Sequence, residues 1–220
     1  MTEAAAVPRR PPPLLVGLGV IALAVALVLS AGWAIGRWPL AFDRSVMIEL
    51  RGDLPAELRP VALFVTHLGD GTTLTAVVFA AAALLALGRH WLTALATIAA
   101  ATTGGWMVTL IKHVIGRARP TVIEQWTSEP SLSFPSGHSA SSAVVYLTLA
   151  ALATQVIPSR AWRRFVLAAA VMLVGAIGLS RVYLGVHWPT DVLAGWSLGT
   201  AWAIGWWEAT AVARGSLRRQ

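Results

Sequence analysis

Two histidines, three cations and an aspartate stand in three short blocks near the ends of apolar segments. They are Lys112 with Arg119-Pro120, then Pro135-Ser136-Gly137-His138, then Ser180-Arg181 followed by His187 and Asp191. Residues of these types can together hold a phosphate anion and move a phosphoryl group or a proton at it. His187 and Asp191 are four apart, with Pro189 suited to the first turn of a helix, so one helical turn brings the two side chains together. An aspartate accepting from one imidazole nitrogen fixes the tautomer and leaves the other nitrogen free to attack phosphorus. Arg181 adds a planar fork for phosphate oxygens. Taken alone, this block also reads as an interfacial His–Asp pair beside a snorkelling arginine.

The tetrapeptide Pro135-Ser136-Gly137-His138 sits where a loop enters an apolar segment. A helix N-terminus has unsatisfied N–H groups and a partial positive charge, so the Ser136 hydroxyl and the Gly137 and His138 amides can surround phosphate oxygens. Histidine is a side chain that ordinarily titrates near neutrality, so His138 could protonate a leaving oxygen. The same four residues alone also describe a helix cap followed by a surface histidine. Lys112 is the only lysine, beside sixteen arginines. On an unbroken helix Lys112 and Arg119 would share a face and converge on one anion, although Gly116 and Pro120 argue against continuity. Alone they also read as two cations snorkelling at an interface. Jointly the blocks point one way. A charged group costs about 2.5–3.5 kcal/mol at a bilayer centre, and a shared anionic ligand explains why so many stand together.

The pattern K-x6-R-P, P-S-G-H, S-R-x5-H-x3-D resembles the signature of the type 2 phosphatidic acid phosphatase family, whose fold and site are shared with vanadium-dependent haloperoxidases. Every specified position matches, in order. The resemblance implies that His187 is the nucleophile forming a phosphohistidine, that Asp191 orients it, and that His138 is the general acid and later activates water. It implies that Lys112, Arg119, Arg181, Ser136 and Gly137 hold the phosphoryl oxygens, with Pro120, Pro135 and Ser180 structural. It implies no metal and no cofactor, because fixed cations and amides stabilise the transition-state charge. Arg117 fits the wider family habit of an extra arginine before the Arg119-Pro120 pair, with its role left open.

Composition sets the elements that must carry these blocks. With 56% hydrophobic residues, 12% charged residues and a mean hydropathy of +0.67 over 220 residues, the chain belongs in a bilayer. The formal charge of +7 is scattered at the ends of apolar stretches, without a basic stripe, which signals membrane topology and argues against nucleic acid. Without cysteine, disulfides, a thiol nucleophile and cysteine-ligated metal are all excluded. His67, His90 and His113 lack ligand-like spacing, and Asp70 and Glu208 read as interfacial acids. Glu124, Trp126 and Glu129 lie in the loop between the first two blocks, where they could border the entrance, with no function assigned.

Apolar runs at about 14–36, 71–88, 91–111, 139–157, 165–181 and 190–207 predict an all-α integral membrane bundle of six transmembrane helices. The first run is long enough for an uncleaved anchor and exceeds the core of a signal peptide. Residues 37–60, with balanced charges, are expected to lie across the membrane surface, and 61–70 to lead into the second span through a turn at His67 to Gly71. Alternating spans collect Arg9/Arg10, Arg89, Arg160/Arg163/Arg164 and Arg214/Arg218/Arg219 on one, cytoplasmic side, and all three blocks on the outer face. Trp33, Trp38, Trp91, Trp162, Trp188, Trp206 and Trp207 fall near span ends, as an aromatic belt would.

The chain is thus divided into a cytoplasmic tail at 1–13, a six-span lipid phosphatase domain at 14–208 and a basic cytoplasmic tail at 209–220. Its partners are membrane lipids and a lipid phosphate or diphosphate substrate. Isoprenoid diphosphate, phosphatidylglycerophosphate and phosphatidate all fit, and the outward site favours the carrier diphosphate. The alternatives are a lipid phosphotransferase using the same histidine, or a non-catalytic lipid-binding or transport protein. A haloperoxidase would share the site, but six spans argue against that branch, whose members are largely soluble.

Overall fold

The computed structural model describes residues 11–34 and 41–217, so Arg9, Arg10, Arg37, Trp38, Arg218 and Arg219 lie outside the described residues. The described chain is helical, with no strand. Its elements are α1 (Pro13–Ala34), α2 (Ala41–Asp53), a 3-10 turn (Ala56–Leu58), α3 (Arg59–His67), α4 (Gly71–Leu87) and α5 (Trp91–Ile115). After a long loop come α6 (Gly137–Ser142), a π segment (Ala143–Leu147) and α7 (Thr148–Ala153), which form one continuous rod, then α8 (Arg160–Tyr183) and α9 (Pro189–Leu217).

Each apolar run has a helix over most of its described length, the fourth leaving helix after Ala153. Two helices, Trp91–Ile115 and Arg160–Tyr183, are long and apolar enough to cross a membrane unaided. Helices α3 and α4 make a third candidate as a pair bent by 48° at the predicted turn. Shorter apolar helices at Pro13–Leu29 and Gly137–Ala153 complete the apolar set. Helix α9 runs on to Leu217, past the residue at which the sequence suggested a tail. Large apolar side chains such as Leu84, Leu87, Trp106, Leu110, Val114 and Met172 face outward, which suits a lipid-facing surface and not an aqueous one.

Helix α9 is the hub. It packs against α1, α5, α6, α7 and α8, and the main core gathers Leu15, Ala143, Leu147, Ala150, Ala151, Leu167, Val174, Ala203 and Trp207 around it. Small residues make the crossing close. A Cβ on Gly195 would fall 2.8 Å from the Ala140 amide nitrogen, and one on Gly199 would overlap the Ala143 side chain and lie 2.8 Å from the Val144 nitrogen. Gly195 and Gly199 are four apart, so they present one glycine face on which the α6–α7 rod lies backbone to backbone. The aromatic belt is only partly as expected. Trp91 and Trp162 are exposed, but Trp207 is fully buried, donating to Thr154 Oγ1 at 3.2 Å, and Trp188 is buried, donating to the Ala118 carbonyl at 3.1 Å. Trp188, just before α9, and Trp207, well inside that helix, both satisfy the indole N–H within the bundle.

The ends of the helices aim the polar blocks. Helix α5 stops because Gly116 takes a left-handed conformation, φ 65°, and its amide returns to the Lys112 carbonyl at 3.2 Å. Pro189 opens α9, where its missing N–H costs no hydrogen bond. The 116–136 loop therefore leaves α5 just after Lys112 and re-enters helix at Gly137.

Candidate active site

His187 and Asp191 meet across the first turn of α9, as their spacing predicts. His187 Nδ1 lies 3.4 Å from Asp191 Oδ2, and both residues are almost fully buried. On its other side, Arg119 Nη1 donates to His187 Nε2 at 3.2 Å. A guanidinium can only donate, so Nε2 carries the lone pair and the ring proton sits on Nδ1, facing the carboxylate. Burial pushes the His187 imidazole down to about 4, against the opposing pull of Asp191. The ring is therefore neutral at pH 7, with its unprotonated nitrogen turned toward Arg119.

Asp191 is itself held from four directions. Its Oδ2 accepts from the Trp188 amide at 3.0 Å and from the Ser133 hydroxyl, and its Oδ1 accepts from Arg117 Nη1 at 2.5 Å. Arg117 also donates to Thr190 Oγ1 at 2.8 Å and, through Nη2, to Asp43 Oδ2 at 2.7 Å. Asp43, fully buried on α2, then accepts from the Thr190 amide at 2.9 Å. Arg117 thus belongs to the support of the histidine and does not reach for an anion.

The remaining cations converge through the loop, not along a helix. Lys112 Nζ donates to the Leu132 carbonyl at 2.7 Å, and Arg119 Nε donates to the Ser131 carbonyl at 2.7 Å. Both also bond Ser131 Oγ, at 3.3 and 3.1 Å. A Cβ on Gly137 would lie 3.9 Å from Lys112 Nζ, so the start of α6 faces that ammonium. Arg181 is buried on α8, donating to Thr66 Oγ1 at 2.8 Å and to Glu129, while its Nε has no hydrogen-bond partner among the described residues. Glu129 also lies 3.9 Å from Arg119. Burial alone would raise the Glu129 carboxyl, but Arg181, with His138 and Arg119, outweighs it and holds it below the usual carboxylate range. A carboxylate thus stands among cations that suit a phosphate.

His138 lies on the first turn of α6, within electrostatic reach of Arg181 and Glu129. Its Nε2 is 2.7 Å from Asp70 Oδ1, and Asp70 Oδ2 is 2.7 Å from His67 Nδ1. Ser136 is fully buried as the cap of α6, its hydroxyl accepting from the Ser139 amide at 3.4 Å and from the Ser139 hydroxyl at 3.0 Å. The expected role of that hydroxyl on phosphate therefore competes with its role as a cap. Pro120, Pro135 and Ser180 stand outside this constellation. The Pro120 carbonyl accepts from Gln125 at 2.8 Å, Pro135 is buried, and Ser180 bonds back to the Ile177 carbonyl at 2.6 Å.

All three sequence blocks come together at one end of the bundle. What sequence reasoning missed are the acids and hydroxyls behind them: Asp43, Thr66, Asp70, Glu129 and Ser133. Asp70 stands against His138, where the sequence suggested an interfacial acid.

Comparison with known proteins shows the family. Residues 93–214 match the family model described as the PAP2 superfamily. The chain is 34% identical over 143 residues to phosphatidylglycerophosphatase B of Bacillus subtilis, covering 64% of this chain and 70% of that protein. It is 36% identical over 94 residues to an undecaprenyl-diphosphatase of Sulfolobus acidocaldarius, covering 40% of this chain and 41% of that one. The crystal structure of a transmembrane PAP2-type phosphatidylglycerolphosphate phosphatase from Bacillus subtilis superposes with a TM-score of 0.73 at 28% identity, over 89% of this chain and 94% of that one.

Proposed function

The chain belongs to the PAP2 superfamily, and we propose that it is an integral membrane phosphatase that hydrolyses a phosphomonoester or diphosphate on a lipid through a phosphohistidine. The observation that carries this reading is His187, neutral and buried, with Asp191 behind Nδ1 and a cation at Nε2. When a phosphoryl group enters, Arg119 transfers its hydrogen bonds to the phosphate oxygens and uncovers the Nε2 lone pair. That lone pair attacks the terminal phosphorus and the bond to the leaving oxygen breaks, the lipid alcohol's in a monoester and the bridging oxygen of the departing lipid monophosphate in a diphosphate. The leaving oxygen takes the proton of His138. Water then gives a proton back to His138 as its oxygen attacks the phosphohistidine, which releases inorganic phosphate and restores His187. Lys112, Arg119, Arg181 and the Gly137 and His138 amides hold the developing charge. These same groups supply the stabilisation that a metal gives in other phosphoryl transfers.

The lipid tail has a place beside this site. An open apolar groove of about 360 Å³ lies between α1, α5 and α9, bounded by Ala22, Ala26, Leu29, Ile115, Phe134 and Ala194. Its upper wall, Ile115 and Phe134, is continuous with the loop that carries Arg119 and Ser133, and Ala194 is one turn from Asp191. A headgroup at His187 can therefore keep its chain in hydrocarbon. We read the helices as six spans over residues 14–208 with both termini cytoplasmic and the site on the outer face, from the distribution of arginines. An outward site favours the diphosphate of a carrier lipid. The relatives named for phosphatidylglycerophosphate and undecaprenyl diphosphate keep both headgroup classes in the comparison.

The test is phosphate release by the detergent-purified protein, with chelator present, from an isoprenoid diphosphate, a phosphatidate and a phosphatidylglycerophosphate. His187→Ala should abolish release from all three, and acid-labile, base-stable phosphate should be trapped on wild type alone. Release that survives His187→Ala would overturn the mechanism, and release that needs added metal would overturn its metal independence. Labelling of cysteines introduced at Gln125 and Ala161 checks the orientation: reaction at Ala161 alone from outside intact cells would reverse it.

A further inference from the structure

Asp70 occupies the N-cap position of α4, with the extended backbone of a cap, φ −68° and ψ 147°, yet its side chain makes no cap hydrogen bond. Aspartate is among the best capping residues, so the helix forgoes a stabilising bond here. The carboxylate is turned instead to His138 Nε2 at 2.7 Å, with its second oxygen on His67 Nδ1 at 2.7 Å. The backbone is shaped to allow this. Gly69 lets the α3–α4 corner press against its neighbours: a Cβ there would fall 2.7 Å from Ile177 Cγ2 and 3.3 Å from His138 Cδ2. Tyr146 pins the same corner by donating to the Leu68 carbonyl at 2.8 Å. This corner precedes residue 93, where the family match begins.

We propose that Asp70 is a positioning residue for the general acid, forming a second His–Asp pair that works in the opposite sense to His187–Asp191. The inference rests on the phosphatase reading above. Asp70 accepts from Nε2–H and so fixes which nitrogen faces the reaction. Nδ1, which has no hydrogen-bond partner among the described residues, is left to carry the mobile proton. Burial and then Arg181 hold the His138 imidazole below its ordinary value, and the Asp70 carboxylate at hydrogen-bond distance opposes them, returning part of the proton affinity that a general acid needs. Nδ1–H gives its proton to the leaving oxygen as the phosphorus–oxygen bond breaks. The neutral ring, still held by Asp70, takes one back from the attacking water. His67 braces the far oxygen of Asp70 from the surface, where it is largely exposed.

A general acid matters most when the leaving group is a poor one, and this separates positioning from scaffolding. The measurement is kcat/KM of the full chain in detergent for phosphatidate, whose alkoxide leaves poorly, and for p-nitrophenyl phosphate, whose phenolate leaves unaided. Asp70→Asn should lower the phosphatidate value by roughly 100-fold and the nitrophenyl value by less than about tenfold, since general acids contribute about 10² to 10⁴. Asp70→Ser restores a capping hydroxyl without the carboxylate, so it should fold at least as stably and show the same selective loss. Adding either change to His138→Ala should cost nothing further, because both act through one proton. Equal losses on the two substrates, or full additivity with His138→Ala, would overturn the proposal. If His187→Ala leaves either turnover intact, it is the underlying phosphatase reading that fails instead.

Discussion

Arg117 grips Asp191 and Asp43 with the two arms of one guanidinium, Nη1 at 2.5 Å from Asp191 Oδ1 and Nη2 at 2.7 Å from Asp43 Oδ2. Both carboxylates are fully buried. The loop after α5, the amphipathic α2 and the start of α9 are thereby joined behind His187, the proposed nucleophile. A buried ion pair is costly to break because the charge left behind has no solvent.

Arg117→Ala is therefore expected to destabilise the protein by about 3–5 kcal/mol, the range for removing one partner of a buried pair. Unfolding in mixed micelles checks this, and Asp43→Asn should cost less because an amide still accepts from Thr190. A loss under about 1 kcal/mol would mean that solvent reaches the cluster.

Acid should slow the reaction later than an ordinary histidine would. Burial holds His187 at about 4, below its usual 6.5, so the attacking nitrogen keeps its lone pair as pH falls through 5. The acid limb of kcat/KM is expected near pH 4, once corrected for the substrate phosphate, which itself ionises near pH ~6. The same shift bears on stability. Between 6.5 and about 4 the unfolded chain binds a proton that folded His187 refuses, so stability falls as pH drops through that window and is unaffected by this group above it. An acid limb at 6.5 would show the ring to be solvated.

Glu129 pairs with Arg181 and Arg119, so under the proposed function it competes with phosphate for them. Glu129→Gln removes the charge and keeps the shape, so inorganic phosphate should inhibit more tightly, on the order of fivefold or about 1 kcal/mol. Product-inhibition constants for the two proteins decide it. Weaker inhibition in the variant would assign Glu129 to holding the arginines in place.

At the glycine face of α9, Gly199→Ala adds a methyl where Ala143 already sits. Overpacking of this kind costs about 1–3 kcal/mol. The variant should unfold earlier, whereas Gly205→Ala, which meets nothing within 4 Å, should be neutral or mildly stabilising. Equal behaviour of the two would remove close packing as the reason for the small residues.

The two levels of structure differed in how far they could be read from the chain. The His187–Asp191 pair and the stop after Lys112 are local, set by a spacing of four and by a glycine, and both are visible in the residues. The apolar runs mark the helices because burial in lipid or protein demands them. By contrast, Asp43 with Arg117, Asp70 with His138 and Glu129 with Arg181 are contacts between positions 74, 68 and 52 residues apart. No periodicity encodes such pairs, and an acid at a helix end looks the same whether it faces solvent or a histidine. A shared helical face for Lys112 and Arg119 is not what brings them together; they meet because the chain turns at Gly116. Trp207 shows the same limit, since it closes an apolar run yet lies well inside α9, and the run does not say which way an indole points.

The π segment at Ala143–Leu147 sets a phase between the two ends of its rod. Each extra residue in a helix rotates all later side chains by about 100°. His138 above the segment is keyed to the Asp70 corner and the start of α9, while Ala150 and Ala151 below it are keyed to α8 and Trp207. The wide turn lets one rod satisfy both neighbours, like a gear with an offset tooth. A one-residue deletion there would force a choice: either the imidazole swings away from its carboxylate or the lower half leaves the core. The chemistry at the top of the bundle is in this sense timed by a winding fault in its middle.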